Sequence, residues 1–521
     1  MDATGFDAWV LSLAVFLPLV GALVMMAIPK SYEAEHKLIA LGSSLLALAA
    51  GVYVLVNFDY GNAGELQFVV DKSWIDIINA RYIVGLDGLS MPMFVLSLVV
   101  VPLCILYSWE HIPSPGNAKT FLILILILAT GMNGTFVSQD MILFFVFFEV
   151  VLLPMYFLIG VWGGEDRRYA SLKFFLYTLF GSALMIVSFL ALFFLSKDAD
   201  GNLLQTFDMR LLTSAGGVGI AKTTQVWIFA GLFMGFGIKV PMFPFHTWLP
   251  DAHTQAPTVG SVILAAVLLK LGTYGFIRIA IPFLPQAAVE WAPWIGLLAV
   301  IGIIYGALGC LAQTDMKRLI AFSSVAHMGY VMLGIATLTD FGMNAAVFGM
   351  VAHGLITGML FFVAGSVKER YHTLEIDRLG GLLKQAPRMG WILGFATMAS
   401  LGLPGLAGFW GEFPAILSAY NPGAGLSEEL FRVYMVIAAI GTVLAAGYLL
   451  WLYQRTAFGE PSEEFADEPI EDMNKWELMA WAPFLVGILV LGIYPNLLFS
   501  LSDDVVTGIA NGVSVAVGAG N

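Results

Sequence analysis

The chain has 521 residues, of which 59% are apolar and only 12% charged, about half of the roughly 25% charged residues of an ordinary soluble domain. That composition argues against a water-soluble fold and asks for apolar windows of about 17 to 25 residues that cross a bilayer. A formal charge of -13 argues against nucleic-acid partners.

Fourteen such windows follow one another along the chain: 8-29, 38-58, 88-109, 120-139, 141-164, 174-196, 223-250, 252-277, 291-314, 319-339, 341-367, 389-427, 433-454 and 478-502. Each is continuously apolar, whereas a spanning strand needs about ten residues of alternating polarity. The expectation is therefore an all-α polytopic membrane protein of about 14 transmembrane helices. The first window follows Asp7 rather than a basic stretch and reads as a retained helix. Cys104 and Cys310 each stand alone in a window, so no disulfide framework, zinc motif or iron-sulfur motif is available.

Loops after odd-numbered windows hold fifteen Lys and Arg: Lys30, Lys37, Lys119, Arg167, Arg168, Lys173, Lys317, Arg318, Lys368, Arg370, Arg378, Lys384, Arg388, Arg455 and Lys475. Loops after even-numbered windows hold fewer, among them Lys72, Arg81, Lys197, Arg210, Lys222 and Arg432. By the positive-inside rule, both termini face away from the cytoplasm or matrix.

No composition shift or linker divides the chain, so 1-521 reads as a single membrane domain: helices 1-3 at 8-109, five windows at 120-277, five at 291-454, and a last helix at 478-502. Two sets of five must insert with opposite topology, as inverted repeats do. Windows seven and twelve are interrupted at matched places, by Lys239-Val-Pro-Met-Phe-Pro and by Gly402-Leu-Pro-Gly-Leu-Ala-Gly. Proline frees backbone groups, which a bilayer tolerates only where protein or water satisfies them. Such breaks point to a transport site, although packing kinks are an alternative reading. The acidic run Glu460 to Asp472 reads as a solvated loop face.

Ten windows lack Asp, Glu, Lys and Arg. The other four hold one each, away from the window ends: Glu149, Lys239, Lys270 and Glu412. Each charge costs about 2.5 to 3.5 kcal/mol at a helix centre, so these four are expected to face the bundle interior and find partners. Glu149 with Lys239, and Lys270 with Glu412, are the obvious couples. Buried groups whose charge depends on a neighbour suit a proton relay, and separating Glu149 from Lys239 would let the lysine release a proton. Purely structural salt bridges are the other reading.

His327 and His353, in windows ten and eleven, stand where either could carry a proton between Lys270 and Glu412, or serve only in packing. His246 and His253 flank the break after window seven, in a structural or an inlet role. Glu110, at the end of window three, reads first as an interfacial loop charge. No HxH or HExxH spacing occurs, so no metal site is expected.

Taken together, the stretch from Lys239 through Pro-Phe-His246-Thr-Trp-Leu-Pro-Asp-Ala-His253-Thr-Gln-Ala-Pro to Leu269-Lys270-Leu-Gly-Thr-Tyr-Gly resembles the antiporter-like subunits of respiratory complex I. Arg318-Leu-Ile-Ala-Phe-Ser-Ser-Val-Ala-His327 and Gly402-Leu-Pro-Gly-Leu-Ala-Gly-Phe-Trp-Gly-Glu412 resemble further signatures of that family. A glutamate at Glu412, where other branches carry lysine, resembles the M-type branch, the counterpart of mitochondrial subunit 4. So does a chain that ends without a long lateral helix. The resemblance implies fourteen helices in two inverted five-helix repeats with helices 7 and 12 broken. It also implies an inlet pair Glu149 and Lys239, a central Lys270, an outlet Glu412, and His327 and His353 between them. Glu110 and His246 match family positions of lesser weight.

The expected function is proton translocation within NADH:quinone oxidoreductase, driven by redox chemistry elsewhere. No cofactor is expected in this chain, while FMN and iron-sulfur clusters belong to other subunits. L-type and N-type antiporter-like chains, the lipid bilayer and protons are the expected partners, and a bacterial inner membrane, or alternatively a mitochondrial one, the location, with both termini periplasmic. Rival readings are an Mrp-type cation/proton antiporter subunit, a membrane-bound hydrogenase subunit, and a scaffold whose charges only fix packing.

Overall fold

A computed structural model describes residues 3-110 and 112-519 of the chain. Among the described residues, twelve helices are long and apolar enough to cross a membrane. They correspond to twelve of the fourteen windows, and the two remaining windows are the interrupted ones. In window seven a helix Lys222–Lys239 ends at the lysine, the chain turns through Pro241 and Pro244, and a short helix Trp248–Gln255 follows. In window twelve, Pro387–Ser400 and Ala407–Ser418 are separated by a turn in which Gly402 takes φ +78°, a left-handed conformation open to glycine at little cost.

Burial grades the helices by position. Thr258–Phe283, Met316–Ala336 and Asp340–Tyr371 are buried over 94%, 94% and 100% of their spanning windows, against 33% for Glu428–Ala457. A helix apolar all round belongs in a core, and these three form the centre of the bundle. Thr258–Phe283 departs from α geometry in two π-helical turns, Leu264–Leu268 and Phe276–Ala280, with a short α segment Leu269–Gly275 between them. Single π turns free carbonyls and gather at functional positions.

Three features differ from the sequence expectation. The 59-87 connection holds an antiparallel hairpin, Gln67–Ile75 with Ala80–Leu86. Arg81 and Arg210 both reach Asp71 at 2.7 Å, and Arg210 also holds Asp208 at 2.6 Å, tying the hairpin to the 197-222 connection on the even-loop face. Burial pushes the Asp71 carboxyl up, but the two guanidiniums outweigh it and hold it below the ordinary range. Second, the last window is covered by two helices rather than one. Lys475–Ile493 stops before Pro495, which lacks an N–H to donate, and Asn496–Ala519 follows as a separate helix packed against the bundle. The expectation of one last helix at 478-502 is thereby corrected. Third, the acidic run after 460 is not merely solvated: Glu464 pairs with Arg378 at 2.5 Å, Glu460 pairs with Lys384, and Asp472 accepts from the amides of Arg388 and Met389.

Candidate functional site

Lys239 is 2% exposed. It closes its helix at the end where unpaired carbonyls leave partial negative charge, which favours an ammonium, and its Nζ lies 4.7 Å from the centre of the Phe148 ring. The expected direct couple with Glu149 is not formed: no ion pair within 4.0 Å joins the two. Helix rotation is the cause. Glu149 shares a stripe with Val146, 37% exposed, and Leu153, 54% exposed, so its carboxylate lies at the flank of the bundle, half-buried, while Lys239 lies inside.

Lys270 is fully buried on the short α segment between the π turns. Its Nζ bonds the carbonyl of Ala265, which lies in the first π turn, and stands 2.6 Å from Nδ1 of His353. Gly272 sets the spacing to Lys239: a Cβ there would stand 2.6 Å from the Phe236 carbonyl oxygen and 3.1 Å from Cβ of Lys239. Only a residue without a side chain permits that approach.

From Lys270 the groups continue in file. The His353 ring is 6.0 Å from that of His327, and His327 Nδ1 is 2.5 Å from Oε1 of Glu412. His327 Nε2 meets Ser400 Oγ at 3.1 Å and the Tyr448 hydroxyl at 3.5 Å. A cavity of about 20 Å³ lies among His327, His353, Thr357, Ser400 and Glu412, room for about one water. The expected Lys270–Glu412 couple is thus spanned by both histidines rather than closed directly. Glu412 differs from Glu149: its helix turns Phe413 and Leu417 outward, but its carboxylate reaches inward to His327 and the cavity and its side chain is 13% exposed. The expectation that all four charges face inward holds for the lysines and Glu412 and is corrected for Glu149.

The remaining candidates lie outside this file. Glu110 is exposed beyond the Ser90–Tyr107 helix and accepts from Trp476 Nε1 at 2.7 Å. His246 stacks on Phe243 at 5.6 Å and meets the Tyr305 ring at 4.9 Å. His253 is fully buried and stacks on Phe361 at 4.4 Å. Lys317, counted among the loop charges by sequence, is 3% exposed with its Nζ 2.5 Å from the Ala256 carbonyl. Among the described residues, no three His, Cys, Asp or Glu side chains converge as metal ligands would.

Sequence reasoning passed over Ser400 and Tyr448, neutral groups carrying no signal of their own, and a buried cluster around Arg278. That arginine and Asp87 sit one residue outside windows eight and three, yet Arg278 belongs to the Thr258–Phe283 helix and pairs with Asp87 at 2.5 Å.

Residues 138-443 match the profile of the NADH:quinone oxidoreductase/Mrp antiporter transmembrane family, and residues 13-135 match the amino terminus of NADH-ubiquinone oxidoreductase chain 4. The chain is similar to NADH-quinone oxidoreductase subunit M of Rhodobacter capsulatus, 40% identical over 94% of each chain. It is similar in structure to a chain of respiratory complex I from Thermus thermophilus with bound NADH: TM-score 0.85 at 28% identity, over 96% of this chain and 99% of that one. A chain of the Mrp complex from Dietzia sp. DQ12-45-1b gives TM-score 0.82 at 20% identity, over 98% of this chain and all of that one, a likeness of fold alone.

Proposed function

Because the chain belongs to the NADH:quinone oxidoreductase/Mrp antiporter family, with the amino-terminal module of chain 4, we propose that it is the M-type proton-translocating membrane-arm subunit of NADH:quinone oxidoreductase. The observation that carries the relay is the file Lys270, His353, His327, Glu412, whose first and last contacts are 2.6 and 2.5 Å. Protons are taken up at Glu149 and Lys239, held on Lys270, passed over His353 and His327, and released at Glu412. Residues 120-277 and 291-454 act as inverted repeats, a reading supported by helix breaks at matched places. Glu110 and His246 stand outside the transfer steps.

A carboxylate facing lipid at mid-membrane depth costs about 2.5 to 3.5 kcal/mol, so the flank position of Glu149, and the outward-turned face of the helix that carries Glu412, call for protein neighbours. L-type and N-type antiporter-like chains fill those places in this reading. Redox chemistry, with FMN and iron-sulfur clusters, belongs to other subunits, and this chain supplies no redox centre. The location is a bacterial inner membrane with both termini on the periplasmic side.

Replacing Lys270 by Met in the assembled complex removes the exchangeable charge at similar volume. Coupled NADH:quinone turnover and proton uptake by proteoliposomes should fall together, by about a hundredfold, the usual loss when a positioned proton-transfer group is removed. Unchanged pumping by an assembled Lys270→Met complex rejects the relay and favours a scaffold. The family profile is shared with Mrp antiporters, which supplies one alternative, a cation/proton antiporter subunit; sodium-dependent proton movement without quinone would identify it.

A further inference from the structure

The proton relay proposed above requires that Lys270 not exchange protons freely with both sides of the membrane. On the even-loop face, a partly open cavity of about 890 Å³ reaches down between the residues that flank the hairpin (Gly64, Leu66 and Asp87), the 209-220 segment, the end of the Thr258–Phe283 helix and the Asn496–Ala519 helix. Asp87 and Arg278 belong to its lining. Arg278 lies eight residues beyond Lys270, roughly 12 Å along a helix at 1.5 Å per residue. Tyr274 lies between them, one turn from each.

Between cavity and lysine, four side chains are mutually satisfied. Arg278 donates to Asp87 at 2.5 Å, to Ser90 Oγ at 3.1 Å and, through Nε, to the Tyr274 hydroxyl at 3.1 Å. The Tyr274 and Ser90 hydroxyls are 2.9 Å apart, and Tyr274 donates to the Phe136 carbonyl at 3.2 Å. Asp87 also accepts from the amides of Leu89 and Ser90. On the Lys270 side the phenol ring is fully buried, edge-on to Phe136 at 5.3 Å and stacked with Phe144 at 6.5 Å.

We propose that the Arg278, Asp87, Ser90 and Tyr274 cluster is an electrostatic seal that stops protons in the even-face cavity from reaching Lys270. A guanidinium keeps its proton throughout the accessible range, so Arg278 is a fixed positive charge at the floor of the cavity, and a fixed cation in a narrow apolar passage repels hydronium, as in other proton-excluding pores. Asp87 holds the guanidinium in place, and Tyr274 fills the passage behind it. A route that carried protons would need hydroxyls free to reorient; here each is engaged by a neighbour whose charge does not change.

The test uses the whole complex in proteoliposomes under an imposed membrane potential, with no NADH present. In the double variant Asp87→Asn/Arg278→Gln both charges go together, so no buried ion is left unpaired, and the Asp87→Asn side-chain oxygen still accepts from the Leu89 and Ser90 amides. Passive proton conductance should rise, by less than in Arg278→Gln alone because the pair removed is neutral overall; loss of the one guanidinium charge beside the path should raise it about tenfold at an effective dielectric near 20. Arg278→Gln alone should leak as well, since Asp87 keeps its two amide donors, and it serves if the double variant does not assemble. Arg278→Lys keeps the charge and should stay tight, and adding Lys270→Met to a leaky variant should abolish the leak. An assembled double or single variant as tight as the wild type overturns the seal, as does a leak that survives Lys270→Met. Loss of pumping in Lys270→Met with no leak in the double variant rejects the seal but keeps the relay; normal pumping in Lys270→Met rejects both.

Discussion

Replacing Glu412 by Gln alters charge at one end of the file with little change in shape. His327 Nδ1 and Glu412 Oε1 are 2.5 Å apart and their side chains are 7% and 13% exposed, so water screens the pair little. With charge centres about 4 Å apart and an effective dielectric near 20, the carboxylate attracts an excess proton passing this end of the file by about 4 kcal/mol. At about 1.36 kcal/mol per factor of ten, its loss slows transfer through this end by up to roughly three powers of ten. The amide oxygen that Glu412→Gln introduces still accepts from the ring, and Ser400 and Tyr448 still hold Nε2, so helix packing and assembly should persist. Proton translocation per NADH, measured by a pH-sensitive dye in proteoliposomes, should collapse while the complex purifies with its full set of subunits. Glu412→Asp, whose shortfall in reach one water in the 20 Å³ cavity would span, should recover part of the activity. An assembled Glu412→Gln complex that pumps with the wild-type ratio of protons to NADH refutes the assignment of Glu412 to the relay.

Two further substitutions separate the file from its surroundings. Glu110→Gln removes an exposed carboxylate whose partners are Trp476 and Asn474; because Gln still accepts from the indole, the ratio of protons to NADH should stay at the wild-type value in the same assay, and a loss comparable to that of Glu412→Gln would bring Glu110 into the relay. Asp140 caps the helix that carries Glu149 by accepting from the amides of Ile142 and Leu143, and burial pushes its carboxyl up to about 6 despite those bonds. A carboxyl raised from about 3.8 to about 6 makes the folded state less stable as pH climbs through that interval, by about 3 kcal/mol in all, the opposite of Asp71 with its depressed carboxyl. Asp140→Asn keeps an equally good cap without the buried charge, so hydrogen exchange of the amides at 142-148 should be slower than in the wild type at pH 7.5. That difference should vanish below about pH 4; equal protection at pH 7.5 contradicts the argument.

What the sequence made legible follows from cost. A charge in a continuous apolar window is expensive, so Glu149, Lys239, Lys270 and Glu412 stood out without any structure, and proline and glycine marked both helix breaks. The rotation of each helix did not stand out, because in a bilayer both the core face and the outer face are apolar and the periodicity that orients a soluble helix is missing. Hence Glu149 was expected to close on Lys239, whereas its stripe with Val146 and Leu153 turns it to the flank. Arg278 and Asp87 were missed for a related reason: a window is cut where charge begins, which removes from view the charges that lie just inside a helix end or just beyond it. The same habit assigned Lys317 to a loop. Pro495 did signal the break that separates the last two helices, but the apolar run across it read as one span.

The partners of the buried charges divide into two kinds, and the division bears on function. Lys239 stands at the carbonyl end of its helix over an aromatic ring, and Lys270 contacts a carbonyl within a π turn and an imidazole nitrogen. Neither ammonium is tied to a carboxylate, so either lysine can lose its proton without leaving a buried counter-ion behind. Arg278 with Asp87, and Arg370 with Glu477 near the opposite face, are direct ion pairs at 2.5 and 2.7 Å, in which loss of one charge would strand the other at a cost of about 3 to 5 kcal/mol. Charges that must change are therefore held by neutral groups, and charges that must not change are held by opposite ones. Pumping needs both kinds: a lysine free to exchange is useful only if the route from the wrong side is blocked by a charge that never does.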